Sequence, residues 1–311
     1  MWIWPIAGTL LLLVLAFIVR SVVEQSSKQT VADNLQAILN ADVAALNIWM
    51  EREESLAVVL ANEPRIRELA KDLNQVDQDN PDNRDALLQS KSLEALRTEF
   101  KSEIEHLGYI DVGLLSVDGK VLASTRDEPI GRADLPLQKS ALEKIQQGKA
   151  TVTRPFESLF ARKSNSGKLE AGLPTMLAMA PVKDESGTVL AALVLMIRPD
   201  INFTRILSIA RAGESGETYA FDKDGLLLSQ SRFDDELKMI GLIPDRDDAR
   251  SILNIQIRDP QVNMAEGNRP TLRLAERPLT QMAAMAVQNQ SGVDVNGYRD
   301  YRGVPVVGAW T

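Results

Sequence analysis

Side chains able to attack a substrate, relay protons or bind transition metals at neutral pH are scarce: the 311-residue chain has one histidine, His106, and no cysteine. A Cys/His zinc site and any disulfide are therefore excluded. His106 closes a helical stretch, Glu105-His106-Leu107, where the helix dipole favours a cation. A Ser-His-Asp triad would have to use it. No Gly-x-Ser-x-Gly elbow, Gly-x-Gly-x-x-Gly loop or P-loop string accompanies it. Asp222-Lys223-Asp224-Gly225 begins like a calcium loop, but Leu226 stands at an oxygen-donor position and Phe233 where the bidentate glutamate belongs. It reads as a turn. Carboxylate pairs such as Asp234-Asp235 keep a hydrolase as an alternative, without a supporting constellation. The residues point to binding without turnover, and imply no cofactor and no metal.

Binding chemistry is better represented. Arg154 and Phe156 lie two apart on a strand-like stretch, hence on one face, where a guanidinium beside an aromatic wall suits a carboxylate or another planar anion. Tyr109 and Asp111 share a face of an earlier strand by the same spacing. Arg126 ends a hairpin at the rim of the expected cup. Tyr298, Asp300 and Arg302 alternate on a later strand, with Tyr301 on its other face, and form a second set of candidates. Surface ion pairing or ordinary packing is the plainer account of each. Ala161–Leu169, with the sequence ARKSNSGKL, is small, polar and basic, and reads as a solvated connection with a lid as the alternative.

These residues need elements to hold them. Hydrophobic residues make up 44% and charged residues 25%, which fits a folded chain; 35 basic against 43 acidic residues give a net charge of −8, a poor match for nucleic acid. Met1–Val19 is apolar apart from Pro5, Gly8 and Thr9, and 19 helical residues reach about 28 Å, one bilayer core. Trp2 and Trp4 suit an interface, and there is neither a basic leader nor a small-x-small cleavage site. Residues 1–23 therefore read as a retained transmembrane anchor, with a cleaved signal peptide as the alternative. Arg20 and Lys28 follow it and no basic residue precedes it, which taken alone places the bulk of the chain in the cytoplasm.

Residues 24–107 read as a stalk helix and helical cap. Val31, Leu35, Ile38, Asp42, Ala45 and Trp49 recur at alternating steps of four and three, either a face packed on its own domain or a homodimer seam. No glycine occurs between Gly8 and Gly108; Pro64 marks a break, Asp77–Arg84 with Pro81 a loop, and Leu87–Leu107 a resumed helix. From Gly108 the period becomes two. Tyr109–Leu115 and Lys120–Thr125 flank an Asp118-Gly119 turn, Leu137–Gln147 is a short helix, Ala150–Phe156 a strand, and Pro174–Val182 and Thr188–Ile197 a second hairpin. The order then repeats. After a helix at Ile201–Ala212, Thr218–Phe221 and Leu226–Ser231 flank Asp224-Gly225, offset by 106 from the first hairpin; Gly303-Val304-Pro305-Val306 repeats Gly187-Thr188-Val189-Leu190 at an offset of 116. Two modules follow, at 108–200 and 201–311, the second ending short of the first module's last strand.

In this order the stretches resemble a double Cache (dCache) sensor, the extracytoplasmic part of bacterial chemoreceptors, histidine kinases, cyclases and receptor-like Ser/Thr kinases. The helix with Trp49, Leu60-Ala61 and Pro64 is similar to that family's long first helix and its break. Val121–Thr125 with Ile130-Gly131, and Ala178–Val182 with Gly187, resemble the first module. Gly213–Tyr219, Asp224-Gly225 and Gly297–Val306 resemble the membrane-proximal one. The resemblance covers about residues 25–311. It implies an α+β fold: an N-terminal transmembrane helix, a stalk helix, and two tandem PAS-like antiparallel-sheet modules with ligand cups, the second incomplete at its C-terminal strand. It also implies a bulk outside the bacterial inner membrane, against the charge count. The expected partners are a small-molecule ligand, the membrane and, through the stalk, a second copy; nucleic acid is not among them. Amino-acid-binding members carry Arg-x-Trp-Tyr where this chain has Asp134-Leu135-Pro136-Leu137, so that route to an α-amino acid is not implied.

Overall fold

A computed structural model describes residues 3–80, 84–164, 167–209 and 213–311. The first helix, α1 (Ile3–Ala61), runs unbroken for 59 residues. Its first part is bare: Leu10–Leu13, Phe17–Val19, Val22 and Val23 all face outward. Its N-terminal apolar stretch is long enough to cross a bilayer. Farther along, the helix packs against both modules. Asp42 and Trp49 of the expected stripe are buried, Leu35 and Ile38 are partly buried, and Val31 and Ala45 are exposed. Trp49 meets Phe203 with ring centroids 6.3 Å apart.

Pro64 acts as expected. It forces Glu63 into an extended conformation and opens α2 (Pro64–Asp79) from its first turn. Short helices α3 (Arg84–Leu88), α4 (Lys91–Glu99) and α5 (Lys101–Leu107) complete the cap. The single helix expected over 87–107 is divided at Phe100, whose ring is sunk into the core beside Leu93 and Leu96 while its backbone leaves helical geometry. Gly108, at φ 76°, closes α5 in the left-handed conformation that only glycine adopts cheaply.

The first module is one antiparallel sheet built from β1 (Asp111–Ser116), β2 (Val121–Ser124), β3 (Thr151–Val152), β4 (Phe156–Glu157), β7 (Pro174–Lys183) and β8 (Val189–Ile197). Its order is β2-β1-β8-β7-β3, with β4 also on β7. Helix α6 (Lys139–Gln146) and a small hairpin of β5 (Arg162–Lys163) and β6 (Leu169–Glu170) are its additions. The segment read as a solvated connection is thus partly ordered as a hairpin. Val112 and Leu114 on β1, with Leu193 and Leu195 on β8, are fully buried on the helical side of the sheet. Their neighbours one step along face the other way, as strand alternation requires.

The second module contains α7 (Phe203–Leu207), α8 (Asp234–Met239), α9 (Gln281–Ala286), β9 (Gly292–Arg299) and β10 (Pro305–Trp310), around a core of Leu227, Leu237, Ile255, Ile257 and Tyr301. Helix α7 is shorter than expected, and residues 210–212 lie outside the described residues. The repeat appears in the turns, atom for atom. Gly119 N donates to Ser116 O and Gly225 N to Asp222 O, both at 2.9 Å. Leu115 pairs with Val121, and Phe221 with Leu227, at the same offset of 106. In the later hairpins Lys183 pairs with Val189 and Arg299 with Pro305 at the offset of 116. The carboxylate of Asp184 caps Ser186 N and Thr188 N as that of Asp300 caps Arg302 N and Val304 N. One difference stands out. In the first module β1 pairs with β8 along its whole length. Among the described residues, their counterparts 217–222 and β10 make no ladder, so the second sheet is open along that seam and its first hairpin is reduced to a single isolated bridge.

Candidate functional site

The inner face of the first sheet is the floor of a cup. Gly113, Leu115, Leu177, Val194 and Met196 form that floor, and Leu135–Leu137, Phe156 and Leu159-Phe160 arch over it. Its walls are almost entirely apolar; Asp111, Ser124, Ser158 and Thr175 supply the polar groups. Water centres have about 60 Å³ open to them, room for about four to six waters. That suits the burial of a few non-hydrogen atoms of a ligand. Gly113 keeps the floor flat, since a Cβ there would lie 2.5 Å from the Ala123 carbonyl oxygen.

Asp111 is the charged group of the cup, and its oxygens are held. Ser124 Oγ donates to one at 2.7 Å; Thr125 N, at 3.0 Å, and Thr125 Oγ1, at 2.5 Å, donate to the other. Burial nevertheless drives its pKa above the ordinary aspartate value, outweighing the help of those donors and of Arg126. The second module repeats the device at the matching position. Glu217 accepts from Ser231 Oγ at 2.6 Å, Arg232 N at 2.9 Å and Tyr301 Oη at 3.0 Å, and its pKa too is raised by burial. Each module therefore pins the exit of its second strand to a buried carboxyl at the start of its first.

Both carboxyls bind their protons more tightly folded than unfolded. Their contribution to stability is complete below about pH 4 and is lost as pH rises through the raised native values. The expected outcome is that a chain carrying Asp111→Asn with Glu217→Gln loses less stability than the parent between pH 4 and pH 7. Urea unfolding midpoints across that range measure the difference.

No family model matches the sequence, and no characterised protein shows significant sequence similarity to it. Solved structures do match. A domain of a sensory box/GGDEF family protein from Vibrio parahaemolyticus shares 12% identity at a TM-score of 0.50, over 88% of this chain and 90% of that one. The chain shares that domain's fold. At lower scores, the sensor domain of the Vibrio cholerae histidine kinase DctB aligns at 13% identity and TM-score 0.42, over 88% of this chain and 86% of that one. The extracellular domain of the histidine kinase vpHK1S-Z8 aligns at 11% and 0.47, over 92% and 93%.

Within this fold the candidates separate. Asp111 and Phe156 line the cup. Arg154 does not. It is exposed between β3 and β4, and its guanidinium reaches Asp222 of the second module at 3.1 Å. The continuous strand expected over 150–156 is broken at Pro155, which has no N–H for the ladder, so the shared face of Arg154 and Phe156 is lost. Tyr109 also leaves the cup. Its buried hydroxyl donates to Glu53 on α1 at 2.6 Å, and burial together with that carboxylate raises its pKa. Arg126 lines a different depression.

Tyr298, Asp300 and Arg302 border an open cleft in the second module, together with Glu217, Tyr219 and Trp310 and with Leu35, Ile38 and Leu39 of α1. Asp300 and Arg302 sit in the tight turn after β9 and engage each other, with Nη2 to Oδ2 at 2.8 Å. Arg302 also pairs with Glu236 at 2.8 Å and lies over the Phe233 ring. Among the described residues no cluster of three His, Asp or Glu side chains is gathered to hold a metal. The cup residues that the sequence hid are Ser158, Thr175, Leu177, Val194 and Met196. Glu217 could have been found by carrying Asp111 forward 106 positions.

Proposed function

We propose that the chain is the extracytoplasmic ligand-sensing part of a membrane-bound signalling receptor, held in the inner membrane by residues 1–23. Residues 108–200 are its membrane-distal ligand module and 201–311 its membrane-proximal module. The apolar cup over β1 and β8 carries this reading. Its size and lining suit a small, mostly apolar molecule with one hydrogen-bonding group, met by Asp111, Ser158 or Thr175. Binding, not turnover, is the activity.

The route out of the cup is short. Two residues before Asp111 on the same chain, Tyr109 is bonded to Glu53 of the stalk helix, and the neighbouring Glu54 accepts from Val152 N of β3 at 3.2 Å. A ligand that shifts β1 therefore pulls directly on α1. The shift requires that the ligand bind one packing of stalk on sheet better than another. Val31, Ile48 and Val59 are left bare on α1, and a second copy of the stalk is the partner that would cover them.

A thermal-shift comparison of n-butanol, n-butylamine and butyrate on the full chain in lipid nanodiscs tests the reading. The alcohol and the amine are expected to raise the melting temperature, and the carboxylate, which accepts hydrogen bonds but cannot donate one to Asp111, is not. A folded sample that responds to none of the three leaves a ligand-free structural module as the better description.

A further inference from the structure

A second depression lies just before the start of β1, between the exit of β2, the β5–β6 hairpin and the end of β8, and gives water centres about 470 Å³. Its chemistry is the reverse of the cup's. Arg126, Arg162, Lys163 and Arg198 are on its walls, with Glu128 as the acidic residue among them.

Two of these guanidinium groups have unused donors. Arg162 is 7% exposed; its Nη2 donates to the Pro174 carbonyl at 2.7 Å, and its Nε has no partner. Arg126 donates through Nη2 to the Ala161 carbonyl at 2.9 Å and lies 3.4 Å from Glu128 through Nε, while its buried Nη1 has no partner. Two other cations of the neighbourhood are answered: Arg198 pairs with Asp200 at 2.6 Å, and Arg250, from the second module, pairs with Glu170 on β6 at 2.7 Å. No carboxylate among the described residues lies within ion-pair distance of Arg162. Its pKa is lowered to about 10, because burial and the neighbouring Arg198, Arg250 and Arg126 outweigh Asp200. A buried guanidinium with an unsatisfied N–H is costly to keep, and a planar fork is shaped to receive paired oxygens.

We propose that this depression binds a small oxyanion, a phosphate, sulfate or short carboxylate, held by the guanidinium groups of Arg126 and Arg162. The site is separate from the apolar cup but joined to it: Arg126 N donates to Ser124 Oγ, which in turn donates to Asp111. It also touches the module junction, since the β5–β6 hairpin that carries Arg162 is tied by Glu170 to Arg250. An oxyanion here would therefore stiffen both the cup's polar end and the contact between modules.

The test uses the full chain in nanodiscs, titrated with inorganic phosphate, sulfate and succinate, each against sodium chloride at equal ionic strength. At least one of the three is expected to bind saturably and raise the melting temperature above the chloride control; which one does so identifies the source of the oxygens. Arg126→Gln is expected to weaken that binding at least tenfold, and Arg162→Lys, which keeps the charge but loses the fork, to weaken it several-fold. Arg65→Gln, on the exposed face of α2, is expected to bind like the parent. No response beyond chloride in a folded sample overturns the proposal, as does undiminished binding by Arg126→Gln.

Discussion

Gly303→Ala is expected to cost about 3–5 kcal/mol, enough to unfold the second module. Gly303 closes the Asp300–Val304 turn at φ 82°, and its N–H donates to the Asp300 carbonyl at 2.9 Å. A Cβ would sit 1.8 Å from the Val262 carbonyl oxygen and 2.7 Å from its carbon. Those are backbone atoms and cannot step aside as a side-chain end can. The duplication supplies the control. Gly187 occupies the same place in the first module's turn, at φ 88°, and has nothing within 4 Å of the added carbon. Gly187→Ala therefore meets only the left-handed backbone penalty, about 1–2 kcal/mol. Unfolding of the two variants in urea measures both costs. Equal losses would mean that the close approach to Val262 does not constrain the second module.

That pair of glycines also marks what could be read beforehand. Turns were legible because their chemistry is local: Asp118-Gly119, Asp224-Gly225, Gly187 and Gly303 each specify a bend within a few residues, and their order disclosed the duplication. Helix boundaries set by Pro64 and Gly108 were legible for the same reason. The cup floor was not. Thr175, Leu177, Val194 and Met196 belong to strands so uniformly apolar that one face cannot be told from the other by pattern. Arg162 looked like part of a solvated basic stretch, because its burial depends on tertiary packing, such as its bond to the Pro174 carbonyl at the start of β7, which leaves no local trace. Arg154 misled because its spacing from Phe156 was counted along an unbroken strand, and Pro155 breaks it. The openness of the second sheet was hidden too, since residues 217–222 and β10 carry sequences as fit for pairing as their counterparts in the first module.

Val194→Phe is expected to abolish ligand uptake by the cup while leaving the module folded. Val194 stands opposite Gly113 in the β1–β8 ladder and lines the floor. A glycine partner gives the larger ring somewhere to lie, so strain stays at the low end of the usual overpacking cost, about 1 kcal/mol. The ring then takes the space that water centres have in the parent. With little remaining volume, a ligand that binds the parent must lose the apolar contacts that hold it, and a weakening of at least 100-fold, about 2.7 kcal/mol, is expected. The readout is the shift in melting temperature with n-butanol or n-butylamine, whichever the parent binds, on parent and variant in the same nanodiscs. Because parent and variant sit in the same lipid, any response that comes from the bilayer appears in both samples, and only the difference reports on the cup. Phosphate binding at the Arg126–Arg162 depression should be untouched, which separates a filled cup from a damaged module. Equal ligand responses in the two chains would remove the cup from the mechanism and leave the stalk contact of Tyr109 with Glu53 without an input to transmit.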